Sequence, residues 1–515
     1  MSWEKEVEEI RRREALAKRM GGPEKVKRQH DGGKLTVRER VDRLLDPGSF
    51  HEIGGLAGWA TYGADGALAD FTPANLVFGR GRIGGRTIAV TGDDFTVRGG
   101  ANDGGIKQKL LAVERMACDL RLPLVRLVDG TGGGGSVKNL EIQGHSPMPK
   151  AFLWDWWTDN LAEVPVVSLA LGSVAGLGAA RVVCSHYSVM VKDTSQMFVA
   201  GPPVVEHTHG KFEKNELGGS HIHTRNGAVD DEAASEDEAF ERARRFLSYL
   251  PNSVHELPAR GACDDDPVRR DDWLIEAVPR NPRQVYDMRR IVAALVDRGS
   301  FFEMGRRWGR SVITGFARLA GWPVALMAGD PMHYGGAWTA RASEKVTRFV
   351  DLAQIFHLPV VHLVDVPGFL IGPQAEQEGT IRYGMRAAAA ILQSTVPWCS
   401  VIVRKVFGVA GAIHQNSSRY GMRMAWPSAE WGSLPIAGGL EAAYKAEIAA
   451  APDPAAKRAE IEARIRAYAA PIRGAERFDV EEIIDPRDTR RLLCEFAELA
   501  APLRTAGRSA FGVRP

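Results

Sequence analysis

Leu122-Pro-Leu-Val-Arg-Leu-Val-Asp129 and Leu358-Pro-Val-Val-His-Leu-Val-Asp365 are two renderings of one segment, offset by 236. Each is a short apolar run entered through Leu-Pro and closed by Asp, the pattern of a strand buried on both faces. Other pairs keep the same order. Asp46-Pro-Gly-Ser-Phe-His-Glu52 returns as Asp297-Arg-Gly-Ser-Phe-Phe-Glu303 at an offset of 251. Gly81-Arg82…Gly85 returns as Ala317-Arg318…Gly321, and Gly99-Gly100 as Gly335-Gly336, both at 236. Val164-Pro165 returns as Val396-Pro397 at 232. Offsets that drift this slowly mark a duplicated domain, since a solenoid repeats every ~20–50 residues. The 515 residues also exceed one core, which stops growing near ~250–300. The expected division is 1–265 and 266–515.

Each copy follows one grammar, written here for the first. A hairpin-like pair (75–78, then 87–91) precedes a helical stretch (106–120), the strand ending at Asp129, another helix and a strand at 166–171. Alternating strands and helices with continuous apolar strands predict an α/β fold on a mainly parallel sheet. Residues 230–280 read as a helix and a charged linker. The tail reads as helices over 454–469 and 486–503.

Composition narrows the function classes. Hydrophobic residues make up 44% and charged residues 25%, so the chain is globular and not disordered. Lys+Arg 66 against Asp+Glu 64 gives no polyanion signal, and nucleic-acid binding is not expected. The charged start, MSWEKEVEEIRRREALAKRM, has no apolar core of a secretory signal. No run reaches ~18 apolar residues, so no membrane span is expected. Five scattered cysteines without a CxxC predict a reduced, cytoplasmic chain without a paired-cysteine zinc site. Glycine stands at 55 residues of 515, above the usual ~7%, so tight turns or close backbone approach are needed somewhere.

Three glycine-rich patterns answer that need. Gly79-Arg-Gly-Arg-Ile-Gly84 has GxGxxG spacing, but a strand-like Arg86-Thr-Ile-Ala-Val90 follows instead of a helix. It reads as a hairpin turn and not a dinucleotide loop. Asp129-Gly-Thr-Gly-Gly-Gly-Gly-Ser136 and Asp365-Val-Pro-Gly-Phe-Leu-Ile-Gly372 follow equivalent strands. They are either flexible covers or ligand loops beyond the strand ends. Gly172-Ser-Val-Ala-Gly-Leu-Gly178 and Phe407-Gly-Val-Ala-Gly-Ala412 sit between a strand and a helix in the two copies. Small residues there suit close packing. They also free backbone N–H groups to stabilise an oxyanion, and their matched placement favours that second reading. GxSxG, HExxH and kinase motifs are missing. The pairs His207/His209 and His221/His223 read as loop or surface residues, so no metal is expected.

The chain resembles the carboxyltransferase (β) subunit of biotin-dependent acyl-CoA carboxylases of the propionyl-CoA and methylcrotonyl-CoA type. The resemblance is carried by Gly32-Gly-Lys-Leu-Thr-Val-Arg-Glu-Arg40, Leu44-Leu-Asp-Pro-Gly-Ser-Phe50, Val191-Lys-Asp-Thr-Ser195, Glu216-Leu-Gly-Gly219, Val364-Asp-Val-Pro-Gly-Phe-Leu370, Ala425-Trp-Pro427 and Ile484-Asp-Pro-Arg-Asp-Thr-Arg490. It implies tandem crotonase-like (ClpP/crotonase) domains and a homo-oligomer, usually a hexamer. It implies biotin on a separate carrier, a biotin carboxylase partner and an acyl-CoA substrate. The implied reaction moves a carboxyl group from carboxybiotin to the α (or vinylogous) carbon of the acyl-CoA. The enolate and the biotin oxyanion would rest on backbone N–H pairs. Carried onto this chain, one pair falls on Gly176 and Leu177 for biotin, the other on Val409 and Ala410 for the acyl thioester. Lys25, Lys27, Arg28, Lys34, Arg38 and Arg40 are candidates for the CoA phosphates, although a solvated helix face explains most of them equally well.

Departures from the family pattern concern the substrate. The usual Asp of the second turn is Ala412, with Ile413 beside it. Asn102 replaces a Leu, His145 lies near a usual Tyr, and the loop holding Gly132 and Gly133 lacks its usual Arg. With Phe369, these residues would line the acyl site, and they suggest a functionalised or larger acyl group than propionyl. A biotin-dependent decarboxylase, a biotin-free crotonase-type enzyme and a non-catalytic scaffold subunit remain open alternatives.

Overall fold

The computed structural model describes residues 2–515 except 102–103, 131–140, 142–143, 147, 149–153 and 417–418. The chain forms two units, Met1–Glu256 with Val513–Pro515, and Leu257–Gly512. The break comes earlier than the sequence division at 265/266. Residues just after it already belong to the second unit: the Gly261 N–H donates to Gly321 O at 2.9 Å, and Arg260 Nε donates to Ala320 O at 2.8 Å.

In the first unit seven strands form one sheet, in the order His51–Glu52, Leu76–Ile83, Arg86–Asp93, Leu124–Val128, Val166–Ala170, Tyr187–Val191 and Asp231–Ala233. The first two pairings are antiparallel and the remaining four parallel. The second unit repeats this arrangement with Phe302–Met304, Val312–Leu319, Trp322–Gly329, Val360–Val366, Trp398–Phe407, Met422–Ala425 and Glu482–Ile483. Its pairings change from antiparallel to parallel at the same point. Asp231–Ala233 thus lies where a linker was expected, and helix Glu236–Ser248 follows it. The tail helices run over Pro454–Tyr468 and Thr489–Ala500.

The repeated Asp…Gly-Ser-Phe motif fastens a hairpin in each unit. Asp46 accepts the N–H groups of Gly84 (3.0 Å) and Gly85 (2.8 Å). Asp297 accepts those of Ala320 (3.0 Å) and Gly321 (2.8 Å). Both central residues of each turn are left-handed, with φ +56° and +80° in the first and +48° and +84° in the second. That geometry matches the twist of the flanking strands, and it settles Gly79–Gly84 as part of a hairpin.

Strands Leu124–Val128, Val166–Ala170 and Val360–Val366 are buried at every position. Each carries a polar side chain at its third position, Arg126, Ser168 and His362, all 0% exposed. His362 donates from Nδ1 to His414 O at 2.8 Å. Burial holds its imidazole down to about 3, against 6.5 ordinarily, so it is neutral in the fold. Unfolding restores the ordinary value, so the unfolded chain gains a proton between those limits. This contribution to stability is complete above pH 6.5 and is lost as pH falls towards 3. Denaturant unfolding from pH 7 to pH 5 checks it: His362→Gln should lose stability less steeply than the parent, by up to about 1.4 kcal/mol per pH unit.

Candidate active site

The parallel strands of the first unit end on a crowded polar hub. Asp129 is fully buried and accepts from Arg40 (2.8 Å), Gln29 (3.0 Å) and Lys34 (3.1 Å). Burial alone would raise this carboxyl, but the charges of Arg40 and Lys34 and the hydrogen bonds outweigh it and hold it below the ordinary range. Arg40, 0% exposed, also holds Glu236 (2.7 and 2.8 Å) and Leu171 O (3.1 Å). Only glycine fits at residue 172, where a Cβ would stand 1.9 Å from Asp129 Oδ1. The repeated Gly-Gly pairs have a similar cause. A Cβ on Gly100 would lie 2.5 Å from Asp129 O, and one on Gly336 would lie 2.6 Å from Asp365 O.

This hub corrects part of the expected CoA site. Lys34 is committed to Asp129 and lies 4.2 Å above the Phe95 ring. Arg40 is wholly enclosed, and Arg38 pairs with Glu52 at 2.8 Å. Lys27 is exposed and paired with Asp31 at 2.7 Å. Lys25 and Arg28 are exposed with no ion pair among the described residues.

The two glycine turns match in detail. Gly176 has φ +55° and Gly408 φ +61°, and the offset between them is the 232 that relates Val164 to Val396. The Gly176 N–H, however, donates to Phe198 O at 3.1 Å. It is therefore not a free donor, which corrects the expected first pair. The N–H groups of Leu177 and Gly178, at the start of helix Leu177–Val183, make no hydrogen bond among the described residues. Their counterparts are Val409 and Ala410, which are likewise unpartnered. The first turns of helices leave such groups free as a matter of geometry. Each turn is also open: the nearest atom to a Cβ would be Val199 O at 3.9 Å for Gly176 and Ser433 O at 3.7 Å for Gly408.

Of the other expected site residues, Ala412 is exposed and Ile413 is buried beside the second turn. Phe369 packs edge-on to Trp338, with ring centroids 6.4 Å apart, and fills the space left by Gly384. His145 is exposed. Asn102, Gly132 and Gly133 lie outside the described residues. His223 bonds to Met197 O at 2.8 Å, and among the described residues no group of three or more His, Cys, Asp or Glu could hold a metal ion. Sequence reading missed Gly178 and a buried ionic network of Asp93, Glu114, Arg126 and Arg181. An arginine inside an otherwise apolar strand was the available signal for the second.

Residues 28–506 match the carboxyl transferase domain family. The chain belongs to this family. A carboxyltransferase subunit of propionyl-CoA carboxylase from Haloferax mediterranei is 34% identical over 499 residues, 96% of this chain and 95% of that protein. The methylmalonyl-CoA decarboxylase subunit alpha of Veillonella parvula is 31% identical over 491 residues, 95% of this chain and 94% of that one. A transcarboxylase 12S crystal structure, described as a hexamer assembly and a multienzyme core, superposes with a TM-score of 0.88 at 31% identity, covering 99% of this chain and 98% of that one. The tandem crotonase-like fold is thus the one that the family resemblance implied, and it agrees with the duplication read from the sequence. As a carboxyl transferase, the chain is a carboxyltransferase subunit of the biotin-dependent acyl-CoA carboxylase and transcarboxylase family. Its members use acyl-CoA and biotin carried on a separate subunit. Among the described residues no helix is long and apolar enough to cross a membrane.

Proposed function

We propose that this chain transfers a carboxyl group between biotin on a separate carrier and the α or vinylogous carbon of an acyl-CoA, running towards carboxylation. The observation that carries the reading is the duplicated turn with two unpartnered amides, Leu177 and Gly178 in one copy, Val409 and Ala410 in the other. Four donors without an acceptor among the described residues, two in each matched turn, suit two oxyanions. The second pair takes the thioester oxygen as it gains enolate charge, and the first takes the ureido oxygen of biotin. Biotin on its carrier supplies the carboxyl group and a nitrogen that accepts the α-proton. This chain's own task is to place both oxygens, and each donor is worth about 3–4 kcal/mol of barrier. The reverse direction would use the same donors. The carboxylase relative, at 34% identity against 31% for the decarboxylase, favours carboxylation.

The working assembly is a homohexamer with a biotin carboxylase and carrier subunit, in the cytoplasm and without a metal in this subunit. Lys25 and Arg28, exposed and without an ion pair among the described residues, are the cations left for CoA phosphates. Ala412 is exposed where propionyl-type enzymes carry an Asp, which supports an acyl group larger or more polar than propionyl. An acyl-CoA panel tests this. The expected result is a kcat/KM at least about 10-fold higher for a longer or polar-substituted acyl-CoA than for propionyl-CoA. Propionyl-CoA emerging as clearly the best substrate would overturn it.

A further inference from the structure

We propose that Arg126 and Arg181 are positioning residues for the first amide pair, and for that pair alone. The inference rests on the reading of Leu177 and Gly178 as donors. Arg126 is held bidentate by Glu114, at 2.9 and 2.8 Å, with both side chains 0% exposed. Asn160 completes the pair, donating to Glu114 Oε2 at 2.8 Å. The remaining arm of Arg126 donates to Cys184 O at 2.6 Å and to Arg181 O at 3.4 Å. Arg181 itself donates to Asp93 at 2.8 Å. Asp93 in turn accepts the Asp129 N–H at 3.2 Å.

These bonds grip the last turn of helix Leu177–Val183 by its carbonyls and by a side chain. The helix has only seven residues, and Ala180 N–H bonds back to Gly176 O at 2.9 Å. A fixed last turn therefore fixes the amides at the first. The Arg181–Asp93 link also ties the turn to Asp129, whose N–H the same Asp93 accepts.

The second unit is an internal control. At the corresponding offsets, Asp93, Glu114, Arg126 and Arg181 become Gly329, Val350, His362 and Ile413. There His414 O is held by neutral donors, His362 Nδ1 at 2.8 Å and Ser400 Oγ at 3.1 Å. The same fold therefore closes without the ions. A buried ion pair is seldom worth more to stability than a well-packed apolar pair of similar volume. Stability alone thus gives no reason for the four charges in the first unit. The placement they impose on one turn does.

The double variant Glu114→Val/Arg126→His gives the first unit the second unit's side chains. The full chain is assayed with free biotin as carboxyl acceptor and methylmalonyl-CoA as carboxyl donor, the transfer giving carboxybiotin and propionyl-CoA, alongside thermal unfolding. The expected result is a folded protein with kcat lowered at least about 10-fold and KM for the acyl-CoA within about twofold, because only transition-state placement is lost. A folded double variant with the parent's kcat would overturn the proposal. Should that variant not fold, Arg181→Lys and Arg181→Met decide. Lys should retain most of kcat and Met should lose at least about 10-fold, and equal activity in the two refutes the positioning role. Leu177→Pro separates the levels. If it turns over normally, the reading of the amides has failed. If it is inactive while the double variant is active, only the positioning inference has.

Discussion

Leu177→Pro should lower kcat about 100- to 1,000-fold while leaving the protein folded. Proline is well suited to the first helical position, where its fixed φ is already helical and its missing N–H has no intrahelical partner to lose. Leu177 occupies that position in helix Leu177–Val183, and its N–H makes no bond among the described residues. The substitution therefore removes one donor from the open turn and no other hydrogen bond. Loss of a single oxyanion donor costs about 100- to 1,000-fold in kcat. Leu177→Ala keeps the N–H and should remain within about threefold of the parent. The same experiment at Gly176 would be uninformative, since proline cannot adopt φ +55° and the amide there already holds Phe198 O. Steady-state kinetics with thermal unfolding as the folding control read the outcome. A Leu177→Pro enzyme with undiminished kcat refutes the donor role.

Arg40→Met should weaken the first unit more than other single substitutions in its polar hub. Arg40 carries bonds to Asp129, to both oxygens of Glu236 and to Leu171 O. Its removal leaves two buried carboxylates close together, with Lys34 as the cation still bonded to Asp129 among the described residues. Breaking a buried pair this way costs about 3–5 kcal/mol. The effect depends on pH with a definite sign. In the parent, Asp129 lies below the ordinary carboxylate range, so its stabilising contribution is present above that range and is lost as pH falls through the lowered value. Without Arg40, burial dominates and raises Asp129, so the variant accepts a proton sooner and the two proteins converge in acid. Denaturant unfolding should show a gap of about 3–5 kcal/mol at pH 7 that narrows towards pH 4. A gap that stays constant contradicts the ionic origin.

The duplication was legible because the residues that reveal it have few substitutes. Asp46 and Asp297 each satisfy two turn amides, and Gly100 and Gly336 leave no room for a Cβ. Such positions survive divergence in both copies and can be aligned by eye. The glycine turns were legible as places and not as atoms. Gly176 looks like a donor in sequence, and only the neighbouring strand shows its amide to be taken by Phe198 O. Lys34 was misread for a related reason: a lysine in a basic stretch resembles a phosphate ligand until Asp129, 95 residues away, is placed beside it. The ionic network around Arg126 and Arg181 joins four distant segments, so spacing gives no sign of it.

Carboxyl transfer itself is the most direct test of the proposed function. The purified chain is incubated with free biotin and a carboxylated acyl-CoA labelled in its carboxyl group, and the label is followed. The expected result is label on biotin in the presence of the parent chain and labelling about 100- to 1,000-fold slower with Leu177→Pro. Consumption of the acyl-CoA at the same rate with or without biotin, and no label on biotin, would contradict it.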